Sequence, residues 1–133
     1  NIDVIYLDLA KAFDKVDHGI LAHKLKSLGI SGKIGVWLHN FLFGRTQSVV
    51  ANGAMSSLSK VISGVPQGTV LGPILFLILI GDINSNTTSH VSSFADDTRV
   101  TKGIQDADDV KMLQLDLEKI YQWQETNNMR FNG

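Results

Sequence analysis

Cysteine is absent from the 133-residue chain, so it has no disulfide framework, thiolate nucleophile or thiolate metal ligand. Proline is nearly absent: Pro66 and Pro73 stand in one segment and nowhere else. No apolar run is long. Ile74 to Ile80 spans seven residues, against about 20 for a membrane span. An excess of one charge is missing too. The 12 Lys+Arg face 13 Asp+Glu for a net charge of −1, which excludes a polycationic protein that coats nucleic acid. There are no internal repeats, no low-complexity tract and no basic-then-apolar signal pattern at the start. His18, His23, His39 and His90 are scattered without metal-ligand spacing. What is present suits a packed core, with 44% hydrophobic residues against 19% charged. The length is that of one domain or part of one. The chain opens Asn1-Ile2-Asp3 inside a strand-like run and stops at Arg130-Phe131-Asn132-Gly133 in mid-loop, which reads as a piece of a longer protein.

Charge is mildly uneven. Residues 1–62 carry seven basic and four acidic groups, and residues 63–133 carry five basic and nine acidic. Ile2 to Leu9 reads as a buried strand ending at a carboxylate. Asp17 caps a helix with Leu21, Leu25 and Leu28 on its apolar face and Gly29 as its stop. Ile34, Trp37, Leu38 and Phe41 give a second helix, ended by Gly44. Trp37, Phe41, Phe43 and Trp123 read as core. Thr46 to Ala51 and Leu58 to Ile62 pair across an Asn52-Gly53 turn. Ser63 to Thr69 is loop, and Val70 to Ile83 is a helix apolar nearly all round. Val91 to Ala95 and Thr98 to Thr101 are short strands flanking Asp96-Asp97. Asp106 caps a last helix with Val110, Leu113, Leu117 and Ile120 on one stripe and Asp108 and Asp109 in its first turn. Strand pairs mixed with helices imply an α+β fold, a small antiparallel sheet with helices packed on one face.

Two features carry possible chemistry. Asp8 ends an apolar strand, and Asp96-Asp97 sits between two others, so two such strands side by side can bring Asp8 and Asp96 together, far apart though they are in sequence. Clustered carboxylates repel unless a cation neutralises them, and oxygen ligands without His or Cys favour Mg²⁺ or Mn²⁺. Asp-Asp pairs also populate ordinary turns, while Asp14 and Asp17 read as surface or capping groups. The other feature is Ser63-Gly64-Val65-Pro66-Gln67-Gly68-Thr69-Val70-Leu71-Gly72-Pro73. Its glycines and prolines give a loop of fixed shape that a ligand can approach closely, with the Gln67 amide at the apex. It is also a possible plain connector into a helix.

Taken together these pieces resemble a known family. Tyr6-Leu7-Asp8-Leu9-Ala10-Lys11-Ala12-Phe13-Asp14-Lys15-Val16-Asp17-His18 resembles motif A of reverse transcriptases. Ser63 to Pro73 is similar to their motif B, and Phe94-Ala95-Asp96-Asp97 to their aromatic-x-Asp-Asp motif C. Order and spacing match over about residues 3–133, with the greatest likeness to non-LTR (LINE-type) retrotransposons. The resemblance implies a polymerase palm, with a ferredoxin-like or RRM-like core, over residues 1–133. It implies RNA-directed DNA synthesis from deoxynucleoside triphosphates onto a primer 3′-hydroxyl, on an RNA or DNA template. Asp8 and Asp96 would hold two Mg²⁺ ions (Mn²⁺ as substitute), with Asp97 the third carboxylate and the Leu9 carbonyl completing the coordination. Lys11 and Ala12 would offer N–H groups to the triphosphate. Phe13 would stack under the sugar and exclude a 2′-hydroxyl. Gln67 and Gly68 would shape the nucleotide and template side, and Phe94 would lie near the primer end.

The family's fingers precede motif A and its thumb follows the palm, so both are largely absent from these residues. So is a placeable motif D lysine. The remaining polyprotein, with an endonuclease in many such elements, would be the partner, and this piece alone would have little activity. No membrane partner is implied, and the location would be intracellular, in the nucleus at the site of integration. Another palm-type nucleotidyltransferase is a different possibility, against which Phe13 and the motif B wording argue. The contrasting reading is an inactive retroelement remnant that only binds nucleic acid or serves structure. Binding alone has no need of Asp8, Asp96 and Asp97 together.

Overall fold

The computed structural model describes residues 1–132. In chain order the elements are β1 (Ile2–Asp8), α1 (His18–Ser27), α2 (Gly32–Leu42), the two-residue strands β2 (Thr46–Gln47), β3 (Val50–Ala51), β4 (Ala54–Met55) and β5 (Ser59–Lys60), α3 (Leu71–Ile80), β6 (His90–Phe94), β7 (Asp97–Gly103) and α4 (Ala107–Thr126). The fold is mixed α/β, with small antiparallel sheets and four helices. No helix among the described residues is long and apolar enough to cross a membrane.

The main sheet has the order β1-β7-β6, antiparallel throughout. Strand alternation divides its side chains between two faces. Ile5, Leu7, Val91 and Val100 point inward and pack with Ile83 and with Leu113, Leu117 and Ile120 of α4. Val4, Tyr6 and Asp8 alternate to the other face, which no helix among the described residues covers, leaving Tyr6 75% exposed. The expectation of a buried first strand is therefore corrected. β1 is an edge strand with one covered face, and its continuous apolar run does not reveal that half of it meets solvent.

A second core lies beyond the end of β1. Leu9, Ala12 and Val16 pack there with Leu21 and Leu25 of α1, Leu38 and Leu42 of α2, and Leu75, Phe76 and Leu79 of α3. The helices are thus not gathered on one face of one sheet. α4 covers the sheet, and α1 to α3 surround their own core. Asp17 caps α1 as expected, its carboxylate accepting from the Ile20 N–H at 3.0 Å. That N–H bond, the largest cause, holds the Asp17 carboxyl below the usual carboxylate range despite partial burial. Trp37 departs from expectation. It is exposed and stacks on Phe41 along the outside of α2. The cores are clipped together by Lys24, which donates to the Leu79 carbonyl and to Asp82, both at 2.6 Å. Trp123 Nε1 donates to the same Asp82 carboxylate at 2.7 Å.

The expected long ribbon is interrupted into two short ladders, β2 with β5 and β3 with β4. Ser56 takes the Val49 N–H on its hydroxyl between them. The Asn52-Gly53 turn forms with both residues at positive φ, as a type I′ hairpin demands. α3 is shorter than expected, ending at Ile80, and the chain then turns through residues 81–89 to β6. Fully buried Asp116 of α4 ties down that crossing. Its Oδ2 accepts from the N–H and hydroxyl of both Thr88 and Ser89, at 2.7 to 3.0 Å.

Candidate active site

β1 and β7 end side by side, and their register sets Asp8 directly opposite Asp97, with Phe94 of β6 on the other flank of Asp97. Asp8, Asp97 and Phe94 share the open face of the sheet, and Phe94 is 84% exposed. The Asp96-Asp97 pair is split, which corrects the expected strand bounds. Asp97 is the first residue of β7, and Asp96 occupies the two-residue turn with Ala95. Ala95 lies at φ 53°, a left-handed conformation costly for a residue with a Cβ, and such strain gathers at functional sites. Directly opposed like charges destabilise a strand pair. None of the three carboxylates forms an ion pair among the described residues. The donor chemistry, three hard carboxylates without a protein cation, fits Mg²⁺ or Mn²⁺. Among the described residues no three carboxylate or imidazole groups converge around one point, so the strand ends bring Asp8 and Asp97 side by side without closing a cage.

Leu9, next in the chain, is buried, and its backbone forms an antiparallel bridge with Phe131. Arg130, Phe131 and Asn132, expected in mid-loop, therefore lie alongside the end of β1, and Gly133 lies outside the described residues. The turn after Leu9 carries Lys11 at φ 49°, followed by buried Ala12. Successive residues of opposite backbone hand form a concavity of N–H groups suited to an anion. Phe13 is half-buried, and its ring packs on Phe76 with centroids 4.6 Å apart. The ring is thus held by the core while part of it stays accessible.

The Gly- and Pro-rich loop is fastened to this turn. The Gln67 Nε2 donates to Asp14 Oδ1 at 2.9 Å, and the Ser63 hydroxyl donates to the Asp14 carbonyl. Gly64 has φ +88°, and a Cβ there would come within 3.0 to 3.1 Å of Asp14 and Phe13 backbone atoms. Buried His18 Nε2–H donates to the Gly64 carbonyl at 2.8 Å, and Arg45 reaches the same carbonyl at 2.9 Å. Thr69 Oγ1 accepts from the Gly72 N–H and donates to the Pro66 carbonyl, which ties the loop to the first turn of α3. Gly68, at φ +75°, stands exposed beyond Gln67 with open space around it. A groove of about 880 Å³ runs beside Gln67 and is lined by Arg45, Lys60 and Ser63 among others, whereas the three carboxylates stand on the open sheet face. Asp14, read from sequence as a surface group, is the partner of Gln67. His18 and Asn132, to which sequence reasoning gave no role, make contacts to the Gly64 loop and to Asp8. No spacing signal marks either, because both contacts join residues far apart in the chain.

The closeness of this loop to α3 carries a prediction. A Cβ on Gly72 would overlap the Pro66 carbonyl, which is backbone and cannot swing aside. Gly72→Ala is expected to destabilise the chain by about 1–3 kcal/mol, as overpacking does, measured as a lower urea midpoint. An unchanged midpoint would mean that the loop does not rest on α3.

Comparison with known proteins places the chain in a family. Residues 3–133 match the family model of reverse transcriptase (RNA-dependent DNA polymerase). The chain is 35% identical over 137 residues to the RNA-directed DNA polymerase from mobile element jockey of Drosophila melanogaster, a match covering 96% of the chain and 15% of that protein. It is 36% identical over 102 residues to the probable RNA-directed DNA polymerase from transposon X-element of the same species, covering 73% of the chain and 11% of the relative. A third relative is the retrovirus-related Pol polyprotein from type-1 retrotransposable element R2 of Popillia japonica, 27% identical over 81 residues, covering 61% of the chain and 13% of that protein. The chain spans about a seventh of the length of the first of these relatives. A match over nearly every residue, on a chain whose strands bring Asp8 beside Asp97, leaves one assignment: the chain belongs to the reverse transcriptase family, as a LINE-type reverse transcriptase domain.

Proposed function

We propose that this chain is the palm part of a LINE-type RNA-directed DNA polymerase, which transfers a deoxynucleotide to a primer 3′-hydroxyl under RNA or DNA template direction. The observation that carries the proposal is the pairing of Asp8 with Asp97 at the open end of the sheet, with Asp96 on the adjoining turn. A purely structural sheet gains nothing from opposed carboxylates, whereas a nucleotidyltransferase needs them. Asp8, Asp96 and Asp97, with the Leu9 carbonyl, would hold two Mg²⁺ ions, or Mn²⁺ in their place. When bound, such ions lower the pKa of an attacking hydroxyl and stabilise charge on the leaving pyrophosphate.

The chain's own residues then act by positioning. The Lys11 and Ala12 N–H groups face the triphosphate. Phe13, braced on Phe76, lies beneath the sugar. Gln67, held by Asp14, and the adjoining Gly68 bound the nucleotide on its template side. Phe94, on the flank of Asp97, meets the primer end. Fingers, thumb and any endonuclease belong to the remaining polyprotein, and the site of action would be the nucleus.

The test is primer extension on an RNA template by the complete protein, with deoxynucleotides competing against ribonucleotides. Wild type is expected to strongly prefer deoxynucleotides. Phe13→Val removes the ring from the sugar and is expected to lower that preference by about 10- to 100-fold, the range one steric contact supplies. The preference is a ratio, so it does not depend on how much variant is folded. An unchanged ratio would place Phe13 in the core alone. Absence of any templated synthesis by wild type would favour the inactive-remnant reading.

A further inference from the structure

We infer that Asn132 is a positioning residue for Asp8, the amide that decides which oxygen of that carboxylate is left to a cation; this rests on the reading of Asp8 as a metal ligand. Asn132 Nδ2 donates to Asp8 Oδ2 at 2.6 Å. Its main-chain N–H also donates to the Asp8 carbonyl at 2.7 Å, and the Ala10 N–H donates back to Arg130 at 2.7 Å. Asn132 therefore meets Asp8 through both backbone and side chain.

The segment that delivers the amide is itself held. Met129 is buried, and its N–H donates to the Gln124 carbonyl at 2.9 Å. The Phe131 N–H donates to Gln124 Oε1 at 2.8 Å, and the Phe131 ring packs against both cores. The contact thus ties the segment that follows α4 to the end of β1, and Asn132 and Asp8 are 124 residues apart in sequence.

The chemistry of the donor suits the task. Asp97 stands directly opposite Asp8, and repulsion favours rotation of the Asp8 carboxylate away from it. An amide restrains that rotation without adding charge. A lysine at the same place would neutralise the carboxylate and compete with the cation. With Oδ2 engaged, Oδ1 accepts nothing among the described residues. Outer partners of this kind orient ligating carboxylates, and their loss typically weakens metal binding about 10- to 100-fold.

The test uses the complete protein and Mn²⁺ as probe, with free Mn²⁺ followed by electron paramagnetic resonance in the presence of a deoxynucleoside triphosphate. Asn132→Ala and Asn132→Leu are expected to weaken Mn²⁺ binding about 10-fold, and Asn132→Gln, which keeps the donor, to weaken it less. In primer extension the same two variants are expected to need about 10-fold more Mg²⁺ for half-maximal rate, with the rate recovering at saturating Mg²⁺. Misfolding would not be cured by metal, and a thermal melt reports it separately. Wild-type Mn²⁺ affinity in both variants, with binding lost in Asp8→Asn, would overturn the role of Asn132 and leave Asp8 in place. Wild-type affinity in Asp8→Asn would overturn both.

Discussion

Asp96→Asn is expected to reduce RNA-templated DNA synthesis by the complete protein by about 10³-fold or more, since the proposed mechanism rests several kcal/mol of transition-state stabilisation on a metal-held charge. Binding of primer and template should change little, because neutralising one carboxylate removes repulsion from the phosphates and no contact to them. The cross-strand geometry adds a second signature through Asp97. Asp97→Asn relieves its repulsion with Asp8, one strand away. That variant is therefore expected to lose synthesis while its melting temperature stays level or rises. A residue placed for structure behaves the other way, losing stability and activity together. Such a trade between stability and activity is common where a site is built from like charges. Survival of synthesis in Asp96→Asn would remove this carboxylate from the metal site. A marked fall in stability in Asp97→Asn would make the pair a structural feature.

The largest expected stability effect lies elsewhere, at Asp116. Its carboxylate is fully buried, and four donors from Thr88 and Ser89 converge on one oxygen. Lys119 Nζ reaches the other oxygen at 3.2 Å. Asp116→Ala leaves those donors buried without a partner and should cost about 3–5 kcal/mol, a large part of the stability of an ordinary domain. Burial by itself would raise this carboxyl, but the Ser89 and Thr88 hydroxyls and amides more than offset it and hold it well below its ordinary value of 3.8. The sign of the pH dependence follows. A carboxylate depressed in the folded state contributes stability in full above about pH 4, and that contribution is lost as pH falls further. Asp116→Asn should therefore be less stable than wild type at neutral pH, with the gap narrowing below about pH 4. Urea midpoints across that range measure it, and a gap independent of pH would mean that the charge on Asp116 does not matter. Because Asp116 anchors the crossing into β6, its loss should also loosen the hairpin that carries Asp96 and Asp97. Synthesis should then fall by a route that leaves the carboxylates themselves intact.

Local chemistry accounts for the parts of this fold that were legible in the chain. Asp17 and Asp106 cap their helices through their own neighbours, and Asn52-Gly53 turns because both residues tolerate positive φ. Asp8, Gln67, Asp96 and Asp97 stood out as candidates by their places at strand ends and in a Gly- and Pro-rich loop, and Phe13 only through the resemblance to the family's motif A. Burial and partnership were not legible in the same way. The apolar run of β1 reads as core, yet only tertiary packing decides that one face meets α4 and the other meets solvent. Trp37 reads as core for the same reason and faces outward. The link from Gln67 to Asp14, from His18 to Gly64 and from Asn132 to Asp8 each spans 46 residues or more.

The sequence by itself therefore determined the family, the candidate carboxylates, the glycine-rich loop and most helix starts, because these depend on side-chain chemistry and neighbours within a few positions. Only the tertiary structure decided that Asp8 faces Asp97 rather than Asp96, that Asp116 is the buried anchor, and that Asn132 reaches Asp8. Strand register and long-range hydrogen bonds are properties of the packed chain: a shift of one residue in the pairing of β7 would turn Asp97 to the other face of the sheet, away from Asp8.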